Sequence, residues 1–214
     1  MHSAYAPFEH LRQGGRDPLA LLAATRAEWR RRAGEAPHHL GDLWVFGYAS
    51  LIWRPDFNFA ERHATRVAGW HRALAMWSRI NRGTPESPGL VFALLPGGSC
   101  RGVVYRIPRR DADAVLDQLW AREMPTSVYD ARWLRCATPH GPVAALAFTL
   151  SRRSPSFTGQ LTPDHYSRIF REARGRYGST LDYARETHAS LRAHGVDDRR
   201  LAALLAHAPT PHGA

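Results

Sequence analysis

Lysine is absent from this chain of 214 residues, so all 29 of its fixed basic side chains are arginine. These arginines are scattered, and the only triplet, Arg30-Arg31-Arg32, falls in a predicted N-terminal helix. Nucleic-acid recognition normally depends on basic residues clustered on one face. We therefore interpret the formal net charge of +10 as a solvated basic surface and predict no nucleic-acid partner.

Cysteine and long apolar runs are also scarce. Cys100 and Cys136 are the only cysteines and lack the close spacing of a metal site, which indicates thiols in a reducing compartment. No apolar run approaches the ~20 residues that a membrane-spanning helix needs, and the chain opens without a charged and then apolar leader. We expect a cytoplasmic protein with no membrane partner, and the oligomeric state stays open.

Histidine is abundant, but its spacing does not indicate a metal site. The twelve histidines are dispersed, and the pair His38-His39 lies in a predicted linker, without His-Glu-x-x-His spacing. The glycine-rich segment 96–99 lacks the lysine and the following helix of a phosphate-binding loop. We therefore predict neither a metal nor another cofactor.

The apolar content of 44%, with seven tryptophans, is sufficient for one well-packed core and does not require a second. We place an N-terminal arm and helix at 1–41, the main domain at 42–207 and a tail at 208–214. Weak patterning predicts a loose arm over 1–13, and Asp17-Pro18 predicts the start of the N-terminal helix.

The main domain reads as short apolar strands followed by a helical last third. The predicted elements are strands at 43–46, 65–77, 90–95, 102–107, 133–137 and 143–150, and helices at 111–123, 163–174, 179–193 and from 198 onward. Turn residues at 96–99 and 139–142 predict two hairpins. Because regular βαβ alternation is absent, we predict an α+β fold with a curved or barrel-like sheet flanked by helices.

The stretch 46–53 carries the clearest functional signal. An apolar strand runs into a turn in which Gly47, Ala49 and Ser50 surround Tyr48. Small residues at the end of a buried strand let backbone N–H groups approach a ligand closely. Ser50 is not enclosed by the Gly-x-Ser-x-Gly elbow of serine hydrolases, so its backbone is a better candidate than its hydroxyl. We interpret this stretch as a ligand-binding loop.

A carboxylate occupies an apolar position of the predicted helix 111–123. Leu116, Leu119, Trp120 and Glu123 fall at offsets of three, four and seven residues, which places them on one helix face. Glu123 therefore stands where the pattern calls for an apolar residue. A carboxylate in that position is a candidate general base, because burial raises its pKa towards neutral pH.

The end of this helix leaves two interpretations of Glu123 open. Pro125 disfavours helical geometry at the preceding residue, so Glu123 lies in the last turn, where the helix dipole also opposes its negative charge. The alternative is a structural ion pair between Glu123 and a nearby arginine such as Arg122, since such pairs are common.

Taken together, the motifs resemble those of the ChaC-type γ-glutamylcyclotransferases. The stretch 46–53 resembles the family's Tyr-Gly-Ser-Leu signature, and Trp120-Ala121-Arg122-Glu123-Met124 falls where the family carries its Arg-Glu catalytic motif. Three further segments are similar to family motifs and follow in the family's order: 82–89, 98–106 and 178–198. The resemblance covers roughly 43–205 and leaves the N-terminal helix as an extra element.

This resemblance implies a cofactor-independent conversion of glutathione, a small-molecule substrate, to 5-oxoproline and Cys-Gly. In that reaction the glutamyl α-amine attacks the γ-carbonyl of the same molecule. The family motif implies Glu123 as the general base. Backbone N–H groups of Tyr48, Ala49, Ser50 and Leu51 are then expected to hold the α-carboxylate or the developing oxyanion.

Two departures from the family pattern bear on substrate choice. Ala49 stands where the signature has its second glycine, so this residue must avoid positive φ or be strained. Phe157 stands where a tyrosine is expected. The alternatives are cyclisation of another γ-glutamyl amine or dipeptide, and a non-catalytic regulatory or binding module, against which the presence of Glu123 argues.

Overall fold

A computed structural model of the protein describes residues 16–35 and 41–209. The predicted arm at 1–13, most of the predicted linker and the end of the tail lie outside the described residues. The predicted N-terminal helix is confirmed as α1, Pro18–Glu35. Its buried side chains include Leu22 and Trp29, and Arg26 of α1 pairs with Asp113 at 2.7 Å.

The arginine triplet of α1 is not a free basic patch. Arg30 pairs with Asp113, whereas Arg31 and Arg32 both pair with Glu28 at 2.6–2.7 Å. Ion pairs at these spacings stabilise a helix surface modestly. The charges of this triplet are therefore balanced within the fold.

The core of the domain is a five-stranded sheet with the order β2-β3-β1-β5-β4. Its strands are β1, Leu43–Gly47; β2, Glu61–Ser78; β3, Gly89–Ile107; β4, Asp130–Thr138; and β5, Gly141–Thr149. β1 pairs parallel with β5, and the other neighbours pair antiparallel. Because β2 at one edge also contacts β4 at the other, the sheet curls into a half-barrel, which confirms the predicted fold class.

The predicted hairpin turn at 96–99 is wrong. These residues continue the 19-residue strand β3, which pairs with β2 on both sides of them. Gly97 and Gly98 have φ of +99° and +74°, and the β2–β3 register shifts at this point. The glycines thus form a bulge that bends the strand without reversing it. The second hairpin, β4–β5, is confirmed.

The helices follow the predicted order. After the short helix α2, Ser50–Trp53, they are α3, Ala112–Glu123; α4, Pro163–Glu172; α5, Thr180–Ala193; and α6, Arg199–Leu205. Thr162, Ser179 and Asp198 cap the last three with side-chain oxygens. Within the described ranges, no helix combines the length and apolar character that crossing a bilayer requires.

The loop 79–88, which joins β2 to β3, is held by close backbone contacts. Two-residue strands β6, Arg174–Gly175, and β7, Gly178–Ser179, form a small second sheet beside it. A Cβ added to Gly175 would lie 2.5 Å from the backbone nitrogen of Gly83, and one added to Gly89 would lie 2.0 Å from the carbonyl oxygen of Arg82. Only glycine fits at such approaches.

Candidate active site

A cavity of about 660 Å³ opens between the C-terminal end of α3, helix α2 and the loop 79–88. Ser50, Arg122 and Glu123 line it, together with Tyr129 and Tyr183. The cavity therefore brings together the two segments that the sequence singled out, although about 70 residues of chain separate them.

Glu123 is the last residue of α3, as predicted. The helix ends there because Met124 leaves helical geometry, with φ −115° and ψ 19°. Leu119 and Trp120 on the same turn are buried in the core, and only 17% of the Glu123 side chain is exposed. Burial raises the pKa of Glu123, and this effect outweighs the opposing charge of Arg122.

Arg122 connects the two halves of the site. Its Nε lies 3.0 Å from Oε1 of Glu123. Its two terminal nitrogens donate to Ser50 Oγ and to a carboxylate oxygen of Asp56, both at 3.0 Å. The ion pair considered in the sequence interpretation therefore exists, and it lies at the cavity wall. It orients Glu123 towards the segment 50–56 without cancelling the rise in its pKa.

The signature loop follows β1 directly. Ala49 has φ −144°, so it avoids the left-handed region as the substitution for glycine requires. The N–H of Ile52 donates to the carbonyl of Ala49 at 2.8 Å. Ser50 and Leu51 begin α2, and the first donors of a helix have no acceptor within the helix. Tyr105 Oη donates to the carbonyl of Leu51 at 2.9 Å, and the buried Arg72 donates to the carbonyl of Tyr48 at 2.8 Å. These two bonds fix the loop backbone.

The predicted loop residues differ in their position relative to the cavity. Ser50 lines it, whereas Tyr48 is buried behind the wall, close enough to Glu123 for the two to interact electrostatically. Ala49 and Leu51 are also buried and do not line the cavity with their side chains. Any contact that they make with a ligand must therefore come from the backbone.

Three tyrosines surround Glu123: Tyr48 of the predicted loop, and Tyr129 and Tyr183, which were not among the predicted site residues. The phenols of Tyr48 and Tyr129 lie close enough to influence each other, and Tyr183 Oη accepts from the backbone of Phe92 at 3.3 Å. Burial raises the pKa of all three phenols, and the charge of Glu123 adds to this rise. They remain protonated donors at neutral pH. Tyr129 lies just before β4, where no motif marks it. Tyr183 lies in α5, within the segment 178–198 that resembles a family motif, but the motif did not indicate that this side chain reaches Glu123.

Five arginines give the cavity a positive character. Arg54, Arg79, Arg82, Arg122 and Arg176 line it, against the two acids Asp56 and Glu123. Arg82 is buried, donates to the carbonyl of Tyr177 and lies over the ring of Tyr183 at 4.9 Å. An anionic ligand is favoured in such a cavity.

The fold and site place the chain in the class of γ-glutamylcyclotransferase-like α+β domains. A solved structure of a γ-glutamyl cyclotransferase specific to glutathione from yeast has the same fold, with a TM-score of 0.71. The match covers 78% of this chain and 95% of that one at 22% identity, so it supports the fold alone.

Sequence comparison defines the family. The model of the ChaC-like protein family matches residues 43–210. A glutathione-specific γ-glutamylcyclotransferase of Escherichia coli is 34% identical over 87% of this chain and 78% of its own length. A human glutathione-specific γ-glutamylcyclotransferase 1 is 28% identical over 81% and 82%. The chain belongs to the ChaC-like family, which confirms the resemblance found in its motifs.

Proposed function

We propose that this chain is a glutathione-specific γ-glutamylcyclotransferase, a lyase that releases 5-oxoproline and Cys-Gly. The observation that carries the proposal is the buried carboxylate of Glu123 in the wall of a positively charged cavity, next to the signature loop. The relatives named for this activity share most of the chain.

Glu123 acts as the base in this proposal. The substrate α-amine is protonated at neutral pH and becomes a nucleophile only when it loses a proton. A carboxylate with a raised pKa accepts that proton efficiently near neutral pH. The amine then attacks the γ-carbonyl and the lactam C–N bond forms. The peptide C–N bond breaks as Glu123 gives the first proton to the cysteinyl nitrogen, and the second proton that the ring nitrogen loses completes the ammonium group of Cys-Gly.

The signature loop binds the glutamyl head group in this proposal. Backbone N–H groups of Tyr48, Ala49, Ser50 and Leu51 supply donors for the α-carboxylate or for the oxyanion that develops on the γ-carbonyl. The loop holds its shape because Arg72 and Tyr105 bind its carbonyls. Holding the glutamyl chain in a near-attack geometry is worth up to about 7–11 kcal/mol, and the reaction needs no cofactor because both reacting groups belong to one molecule.

The arginine-rich wall receives the far end of the substrate. Arg122 is engaged with Glu123, and Arg82 with Tyr177 and Tyr183. Arg79 and Arg176 also line the cavity, and they are the better candidates for the glycine carboxylate of glutathione. The free, buried thiols of Cys100 and Cys136 fit the proposed reducing, cytoplasmic location.

Incubation with glutathione, without added metal, tests the proposal. We expect equimolar 5-oxoproline and Cys-Gly, measured by chromatography, and faster turnover of glutathione than of γ-glutamyl-alanine or a γ-glutamyl amine. Turnover of the γ-glutamyl amine or dipeptide alone would support cyclotransferase activity but contradict glutathione as the substrate. No product from any of the three would contradict the enzymatic function.

Ser50→Ala is expected to retain substantial activity, within about tenfold of the parent. The substitution removes one hydrogen bond from Arg122 but leaves the backbone donors of the loop and the ion pair between Arg122 and Glu123 in place. Steady-state kinetics with glutathione measure the effect. A loss as large as that of a Glu123 variant would instead assign a catalytic role to the hydroxyl.

A further inference from the structure

Two histidines and a glutamate meet at the end of β1 remote from the signature loop. Glu61 and His63 belong to β2, and His140 lies in the turn between β4 and β5. Nε2 of His63 and Nε2 of His140 lie 3.5 and 3.6 Å from the same atom, Oε2 of Glu61. Curling of the sheet brings these side chains together, although 77 residues separate the two histidines in the chain.

The spacing of the three atoms suits a tetrahedral metal ion. Zinc bonds to histidine nitrogen and carboxylate oxygen are about 2.0–2.2 Å long, so neighbouring ligand atoms of a tetrahedron lie about 3.3–3.6 Å apart. Both distances to Glu61 Oε2 fall in that range, and all three ligand atoms lie within 4.8 Å of one another. Two histidines and one carboxylate form a known set of zinc ligands that leaves a fourth position for water.

Hydrogen bonding does not explain this arrangement. Distances of 3.5 and 3.6 Å exceed those of an N–H···O hydrogen bond. Nε2 of His63 is buried and, within the described part of the chain, has no hydrogen-bond partner. The indole nitrogen of Trp44 and the hydroxyl of Thr65 are likewise buried without a partner there. A buried imidazole nitrogen without a hydrogen bond is costly unless another group, such as a metal ion, satisfies it.

The neighbouring charges leave Glu61 available as a ligand. Arg106 donates to Oε1 of Glu61 at 2.7 Å, so Oε2 faces the histidines. Arg106 also pairs with Asp42 at 2.7 Å, which balances its charge. The carboxylate is thus oriented by an outer partner, as metal-bound carboxylates commonly are.

We propose that Glu61, His63 and His140 form a zinc-binding site, with a water molecule as the fourth ligand. None of the three residues lines the active-site cavity. The ion therefore links the first residues of strand β2 to the β4–β5 turn, and it takes no part in cyclisation. It stabilises the curled sheet at the point where its two edge strands approach each other.

Zinc titration into the tag-free, chelator-treated chain tests this proposal. Competition with a chromophoric zinc indicator is expected to show a site that His140→Gln and His63→Gln each weaken roughly tenfold or more. His140 is largely exposed, so its substitution leaves the fold intact. His71→Gln, on the same strand but bound to the carbonyl of Gly97, is the matched control and should bind zinc as the parent does.

A stability readout separates this site from weak surface binding. Zinc should raise the thermal unfolding midpoint of the parent and of His71→Gln, and should leave that of His140→Gln nearly unchanged, because only a ligand of the folded state stabilises it. Equal zinc affinity in the parent and in both histidine variants would overturn the proposal. An unfolding midpoint that zinc does not change in the parent would also overturn it.

Discussion

Replacing Glu123 by glutamine is expected to lower the rate of 5-oxoproline formation by about 10²–10⁴-fold, the usual contribution of a general base. Glutamine keeps the size of the side chain and removes its capacity to accept a proton. The folded state should persist, because Arg122 keeps its bonds to Ser50 and Asp56. Single-turnover and steady-state rates with glutathione measure the loss, and thermal unfolding checks the fold.

Glu172→Gln is the matched control for this substitution. Glu172 ends α4 on the surface, as Glu123 ends α3 in the cavity wall. It should leave both the rate and the unfolding midpoint unchanged. If Glu123→Gln kept the rate of the parent, the base would have to be another group.

The pH dependence of the rate should follow the ionisation of Glu123. Because burial raises its pKa, the carboxylate becomes protonated at a pH above the usual range for glutamate. Activity should therefore fall as the pH drops through that value, and the residual activity of Glu123→Gln should lack this acid limb. The profile of kcat/KM for glutathione against pH is the measurement.

Replacing Arg122 by methionine is expected to lower kcat by roughly ten- to hundredfold. The variant loses the Nε contact that orients Glu123 and the two bonds to the segment 50–56. It also loses the charge and the hydrogen bond of Arg122, both of which lower the pKa of Glu123. The acid limb should therefore move to higher pH, which a purely structural loss would not produce.

Two further variants test the role of Arg122. Lysine at this position keeps a positive charge but not the planar fork of arginine. Compared with Arg122→Met, Arg122→Lys should therefore return the acid limb most of the way to its pH in the parent, but should recover only part of kcat. Arg171→Met, at an exposed arginine of α4, is the control and should behave as the parent. An unchanged acid limb in Arg122→Met would contradict a positioning role for this side chain.

The sequence predicted those parts of the site that depend on local pattern. Glu123 was recognisable because an apolar helix face and the following Pro125 define its position without any tertiary contact. The loop at 47–51 was recognisable because small residues interrupt a buried strand. In contrast, Tyr129 and Tyr183 approach Glu123 only when α3, β4 and α5 pack together, so the spacing of residues along the chain does not predict these contacts.

The same distinction explains the error about the turn at 96–99 and the grouping of histidines that the sequence did not indicate. Gly97 and Gly98 are typical of a tight turn, but β2 and β3 pair on both sides of them, so they form a bulge within the strand. The histidines looked dispersed because His63 and His140 meet only through the curl of the sheet. A local sequence pattern does not show which distant segments of the chain pair with each other.

The close packing of Gly83, Gly89 and Gly175 has a consequence for how this protein can diversify. Backbone touches backbone at these positions, so the backbone of the loop 79–88 and of the small sheet beside it tolerates almost no substitution there. Residues carried on that backbone, such as Arg79 and Tyr177, are not constrained in the same way. Substitution of these side chains can therefore change which group is bound at the end of the substrate distant from the reacting carbonyl. The geometry around Glu123 need not change.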